Sequence, residues 1–199
     1  MNRRTLRIGL CVIAAASAVA VIAYSPRPAR ADGDGALRRP PDLRELVFLS
    51  SSHGLAYGPA ARASATPVFT NIFVEPAIYR SFMKSGRWPD GTTFFMEVRA
   101  GVGHTAIGTS GNSQGRLLAV EAEHKDSTRY PDGGWAYFSF GRGEQEQADP
   151  IPRTAGCYTC HRLHGAVEWT FTQFYPEQFA VAQRLGTVRK DYDPDAKLQ

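Results

Sequence analysis

An α+β domain, built mostly on an antiparallel β-sheet with flanking helices, is the fold class this sequence predicts. Three observations predict it. Segments rich in β-branched and aromatic residues are separated by tight turns, WPDG at 88–91 and YPDGG at 130–134, which suit neighbouring strands rather than long crossovers. Two segments, 76–86 and 176–186, begin on proline and end on glycine, the punctuation of a short helix. With 199 residues, 43% apolar and 21% charged, the chain is long enough for one core and excludes collagen-like, low-complexity and disordered classes.

Residues 1–31 predict a cleaved export signal. They hold Arg3, Arg4, Arg7, Arg27 and Arg30 and no acid, with an uncharged, Ala-rich run of 17 residues at 8–24. Ala29-Arg30-Ala31 then offers a small-x-small cleavage site before Asp32. As a helix that run is about 26 Å long, short of a bilayer core, so a cleaved signal and a periplasmic destination are expected rather than an anchor. Without those five arginines, the formal charge of +4 becomes 18 basic against 19 acidic side chains. No basic cluster remains to track a phosphate backbone, which excludes nucleic acid as a partner.

The polar, Gly/Pro-rich stretch 32–41 is expected to be a flexible lead, and 42–186 a single domain. Asp42 caps a short helix over 42–51, with Leu43, Leu46, Val47 and Leu49 inward, and 52–66 is a loop. A strand is expected at 67–74 and a helix at 75–85, stopped by Gly86. The strand at 92–100 presents Phe94/Met96/Val98 on one face and Phe95/Glu97/Arg99 on the other. Residues 101–115 are expected to be a flexible loop. A strand at 116–126 carries Leu118, Val120, Ala122 and His124 on one face, and an aromatic strand follows at 135–140. After a polar loop at 141–154 come a returning strand at 166–174, a helix at 176–185 and a disordered tail at 187–199.

Of three cysteines, Cys11 lies in the leader; the other two occur as Cys157-Tyr158-Thr159-Cys160-His161. This is C-x-x-C-H, the attachment pattern of one covalent haem c per chain. Two thiols three apart reach the two vinyl groups of one porphyrin, and the imidazole that follows becomes the proximal iron ligand. Cofactor binding therefore falls to Cys157, Cys160 and His161, and metal ligation to His161. A redox-active pair expects a βαβ setting, which the prolines at 150 and 152 do not suggest. A disulfide across two residues would close too short a loop to stabilise much. A zinc site from Cys157, Cys160, His161 and His164 would crowd its four ligands.

Asn71-Ile72-Phe73-Val74, Gly86-Arg87-Trp88-Pro89-Asp90-Gly91-Thr92, Lys125-Asp126, Gly133-Gly134-Trp135 and Cys157–His161 occur in that order. In these features, over about 43–179, the chain resembles the cytochrome P-460 family, which also contains cytochrome c′-beta. The resemblance implies a mostly antiparallel β fold, often dimeric, and a high-spin, five-coordinate haem c with an open distal face. It implies either oxidation of hydroxylamine and nitric oxide, with electrons passing to a partner cytochrome, or binding of gases such as nitric oxide without turnover. Hydroxylamine-oxidising relatives carry a lysine cross-linked to the porphyrin, which the resemblance implies on the strand after the P-D-G-T turn. Here 92–100 has no lysine, and Arg99 is its only base.

A methionine or histidine on the sixth iron position would instead make a simple electron carrier. Met96, on an apolar strand face, is expected in the core and His164 on the surface. The distal candidates are Glu97, as a proton acceptor for a bound N–OH substrate, Arg99 as its ionic partner, and His124 overhanging a pocket from its strand end.

Overall fold

The computed structural model describes residues 30–31, 35–55, 67–105 and 108–194. Along the chain run β1 (Arg30–Ala31), β2 (Leu37–Arg38), β3 (Val47–His53), β4 (Val68–Val74), α1 (Pro76–Ser85), β5 (Thr93–Thr105), β6 (Gly108–Lys125), β7 (Trp135–Ser139), β8 (Gln147–Ala148), α2 (Gly156–His164) and α3 (Pro176–Leu185). Strands β3-β4-β5-β6-β7 form a five-stranded sheet in chain order, every pair antiparallel. The expected α+β class is therefore what forms. Apart from Arg30 and Ala31, the leader lies outside the described residues. No helix among the described residues is long and apolar enough to cross a membrane.

Strand alternation gives the sheet two covered faces. One face presents Val74, Phe94, Trp135 and Tyr137 to Phe82 of α1, Tyr158 of α2, and Val181 and Ala182 of α3. The other presents Phe95, Val120, Ala122, Ala136 and Phe138 to Leu37, Leu43, Phe140 and Ala148. Both helices read from proline and glycine appear where expected. Gly86 and Gly186 close them at φ 66°, a left-handed cap conformation that a Cβ disfavours.

Several local expectations give way to tertiary pairing. The helix expected at 42–51 is one 3-10 turn, Leu43–Glu45, after which β3 pairs with β4; Asp42 accepts from the Arg44 N–H but holds only that turn. The expected flexible lead is tied down from Gly35 onward. Leu37 is fully buried, and β2 pairs with both β1 and β8. The Gly/Ser-rich stretch expected as a loop at 101–115 extends β5 and β6 as a hairpin arm, with Gly101 opposite Gln114 and Gly103 opposite Asn112; backbone pairing replaces the missing apolar pattern. At 166–174 the expected strand is reduced to a Val167–Thr170 bridge and a 3-10 turn, Thr172–Phe174. The expected disordered tail docks at its start. There the Thr187 hydroxyl donates to the Gly86 carbonyl (2.7 Å) and the Arg189 N–H to Ala166 (2.9 Å).

Candidate functional site

Helix α2 carries the C-x-x-C-H residues, and its geometry sorts them. Three residues is close to one helical turn, so Cys157 and Cys160 share a face. That face lines a cavity of about 650 Å³. Tyr158, between them, points into the core, where its hydroxyl donates to the Ile151 carbonyl (3.1 Å) and its ring meets Tyr137 edge-on at 4.7 Å. Both cysteines are free. Desolvation by the surrounding protein pushes both thiols above their ordinary value, although Cys157 is exposed. They are therefore protonated at neutral pH, the reverse of an activated redox pair.

His161 also lines the cavity, with its ring between Tyr137 (4.6 Å) and Phe171 (4.3 Å). Its Nδ1 lies 3.0 Å from the Trp169 carbonyl oxygen. A carbonyl only accepts, so the ring proton sits on Nδ1, and Nε2 keeps its lone pair for a metal. Oε2 of Glu123 is also close, 3.1 Å from Nδ1. The N–H is aimed at the carbonyl, which leaves this buried carboxylate oxygen without a hydrogen bond.

The Trp169 carbonyl is held by a strained loop. Glu168 and Trp169 have φ of 47° and 67°, a left-handed pair that side chains disfavour and that persists only where its surroundings hold it. Here the Glu168 carboxylate accepts from the Trp88 N–H (2.9 Å) and faces the Lys125 ammonium (3.2 Å), while its carbonyl accepts from the Trp135 indole (2.7 Å). Lys125 also donates to the Trp88 carbonyl at 2.6 Å, and the Trp88 indole to Thr172 at 3.0 Å. Gly133 leaves room for the Trp169 ring. The Trp88 turn, Lys125 and the Gly-Gly-Trp sequence thus converge on the loop that orients His161.

The sheet supplies the facing wall. Ser50, Ile72, Met96, Glu121 and Ser139 form one row across all five strands and line the cavity. Next to it on the same face lies the row of Val74, Phe94, Glu123 and Tyr137, on which His161 packs. Glu121 stands open in the cavity, yet surrounding protein desolvates its carboxyl and raises its proton affinity. Met96 and His164, expected in the core and on the surface, both line the cavity.

The three distal candidates belong to the opposite face of the sheet. Glu97 is 8% exposed and accepts two hydrogen bonds from Arg99, at 2.9 and 3.1 Å. Arg99 also donates to the Gly115 carbonyl. His124 is buried, with Nδ1 2.8 Å from the Thr93 hydroxyl, and burial lowers its proton affinity. None of the three lines the cavity, and among the described residues the carboxylates that do are Glu121 and Glu123. A sequence signal for them existed. They alternate with Val120, Ala122 and His124, so they had to face the other way.

The family model for cytochrome P460 matches residues 44–172, which include every motif above. The chain belongs to this family. Comparison with curated proteins finds no significant match. Haem binding comes with cytochrome P460 membership, and the residues present fit it: two thiols and a histidine of defined tautomer share one largely apolar cavity. No lysine is among the described residues lining the cavity, and Lys125 of the Lys-Asp motif is engaged by Trp88 and Glu168.

Proposed function

We propose that this chain is an exported, monohaem c-type cytochrome that oxidises hydroxylamine or nitric oxide and passes the electrons to a partner cytochrome. One observation carries the reading. Nδ1 of His161 faces an acceptor-only carbonyl and so carries the ring proton, which leaves Nε2 free in a cavity shared with both motif thiols. Haem c attached there supplies an iron that binds a small nitrogen ligand and exchanges electrons. Cys157 and Cys160 would hold it through thioethers, and His161 through Nε2. Ile72, Phe94 and Met96 give the cavity apolar walls that exclude water and anions. Glu121, its proton affinity raised by desolvation, takes protons from a bound N–OH group, the task first expected of Glu97.

Purified holoprotein given hydroxylamine and an artificial electron acceptor should turn over, and Glu121→Gln should lower kcat while haem content stays the same. Holoprotein inert towards hydroxylamine and nitric oxide refutes the oxidase reading.

A second reading, a non-catalytic nitric oxide-binding protein of the cytochrome c′-beta type, is favoured by the absence of a lysine from the described cavity wall. It expects tight ferrous nitric oxide binding without turnover and an ordinary high-spin reduced spectrum. A strongly red-shifted Soret band would report a cross-link and count against it. A six-coordinate, low-spin resting spectrum would refute both readings and favour a simple electron carrier.

A further inference from the structure

Glu123 is the cavity carboxylate that the proposed chemistry leaves without a task. It is 7% exposed on β6, cross-strand from Tyr137 and on the same sheet face as the row containing Glu121. Burying a carboxylate in such surroundings is unfavourable unless its oxygens are paired. Yet Oε2 makes no hydrogen bond, although Nδ1 of His161 lies 3.1 Å away. The Tyr137 hydroxyl, on the neighbouring strand, is likewise buried without a partner. The Nδ1 proton therefore has two acceptors at nearly equal distance. One is a neutral carbonyl at 3.0 Å, held by the 165–170 loop, and the other is an acidic side chain held by the sheet.

These acceptors are not equivalent for a metal on Nε2. A carbonyl takes an ordinary hydrogen bond from Nδ1. A carboxylate takes a charge-assisted one, draws the proton further from the ring and makes Nε2 a stronger electron donor.

We propose that Glu123 is a positioning residue for the proximal ligand: it shares the Nδ1 proton of His161 with the Trp169 carbonyl and so raises the electron donation of that histidine. The proposal rests on the haem reading above and assigns Glu123 no contact with substrate. A carboxylate behind the histidine stabilises the oxidised metal, lowers the reduction potential and stiffens the metal–histidine bond.

The test uses purified holoprotein, wild type against Glu123→Gln, which keeps size and shape and removes the acid. Covalent haem is measured first; a wild-type protein without it overturns both the haem reading and this proposal. With haem present, the glutamine variant should show a lower iron–histidine stretching frequency in the ferrous resonance Raman spectrum and a higher midpoint potential. Glu123→Asp, which keeps the acid but withdraws it from Nδ1, should move both readouts in the same direction by less. It also serves as the test protein if the glutamine variant does not accumulate. A purely structural Glu123 would change holoprotein yield but neither readout. Unchanged frequency and potential in a folded, haem-loaded variant overturn the proposal.

Discussion

Replacing Gly133 with alanine tests whether the loop behind His161 is held as described. At φ 82°, Gly133 occupies backbone space that an L side chain enters at a cost of about 1–2 kcal/mol. Alanine also restricts the unfolded chain, which offsets roughly 0.4–1 kcal/mol of that. The larger effect is steric. A Cβ there would lie 2.0 Å from Cζ3 and 2.3 Å from Cε3 and Cη2 of Trp169. The ring must therefore retreat by more than about 1 Å to reach ordinary contact, and overpacking of that kind costs about 1–3 kcal/mol. The net loss is about 1–5 kcal/mol, equivalent for a chain of this size to a fall in Tm of roughly 2–20 °C. Thermal unfolding followed by circular dichroism reads that loss. Displacing Trp169 also moves the carbonyl that orients His161, so the holoprotein's iron–histidine stretch should shift or broaden. A melting temperature within about 1 °C of wild type, with that stretch unchanged, would refute the placement of Trp169 against Gly133.

Lys125→Met removes the most buried cation beside the Glu168 carboxylate and leaves it to the Trp88 N–H and the more exposed Arg87. Removing one partner of a fully buried pair costs about 3–5 kcal/mol; with side chains 12% and 24% exposed, roughly 1–3 kcal/mol is expected in denaturant unfolding. Cys160→Ala should leave haem held through one thioether, seen as a shift of the reduced α band in alkaline pyridine to longer wavelength. Because desolvation by neighbouring protein raises the proton affinity of Glu121, hydroxylamine turnover should fall on acidification at a higher pH than an ordinary carboxylate would give, and the effect should vanish in Glu121→Gln. Burial lowers the pKa of His124 from its ordinary 6.5, so the unfolded chain takes up that proton first. Its contribution to stability is complete above about pH 6.5 and is lost as pH falls towards the folded value. His124→Gln should flatten that acid limb in a pH series of unfolding midpoints.

Much of the fold is legible because its causes are local. Proline at the first turn and glycine beyond the last mark α1 and α3, and the P-D-G turns lie just before β5 and β7. The 42–51 and 101–115 stretches are misread for the complementary reason. Their local patterns, an aspartate cap and a run of glycine and serine, are weak beside the backbone pairing offered by β4 and by the hairpin partner. The two faces of β5 are also read correctly, Phe94/Met96 on one and Phe95/Glu97 on the other. Each face has an aromatic residue and buries its strand neighbours, so the pattern alone gives no reason to prefer either as the cavity wall. Glu97 attracts attention as the carboxylate on its strand, but it turns away from α2 and is neutralised by Arg99.

By itself, the sequence determines which groups the C-x-x-C-H motif brings together. Two thiols and an imidazole within five residues share one helix, and no distant contact is needed to bring them together. Only the tertiary structure decides which nitrogen of that imidazole is free and which carboxylates face it. Both depend on groups brought together by folding: Trp169 held by Gly133, Glu168 held by Lys125 and Trp88, and a strand register that turns Glu121 and Glu123 towards the cavity. A hydrogen-bond acceptor selects a tautomer only when packing holds it in place, and that packing comes from residues far apart in the chain.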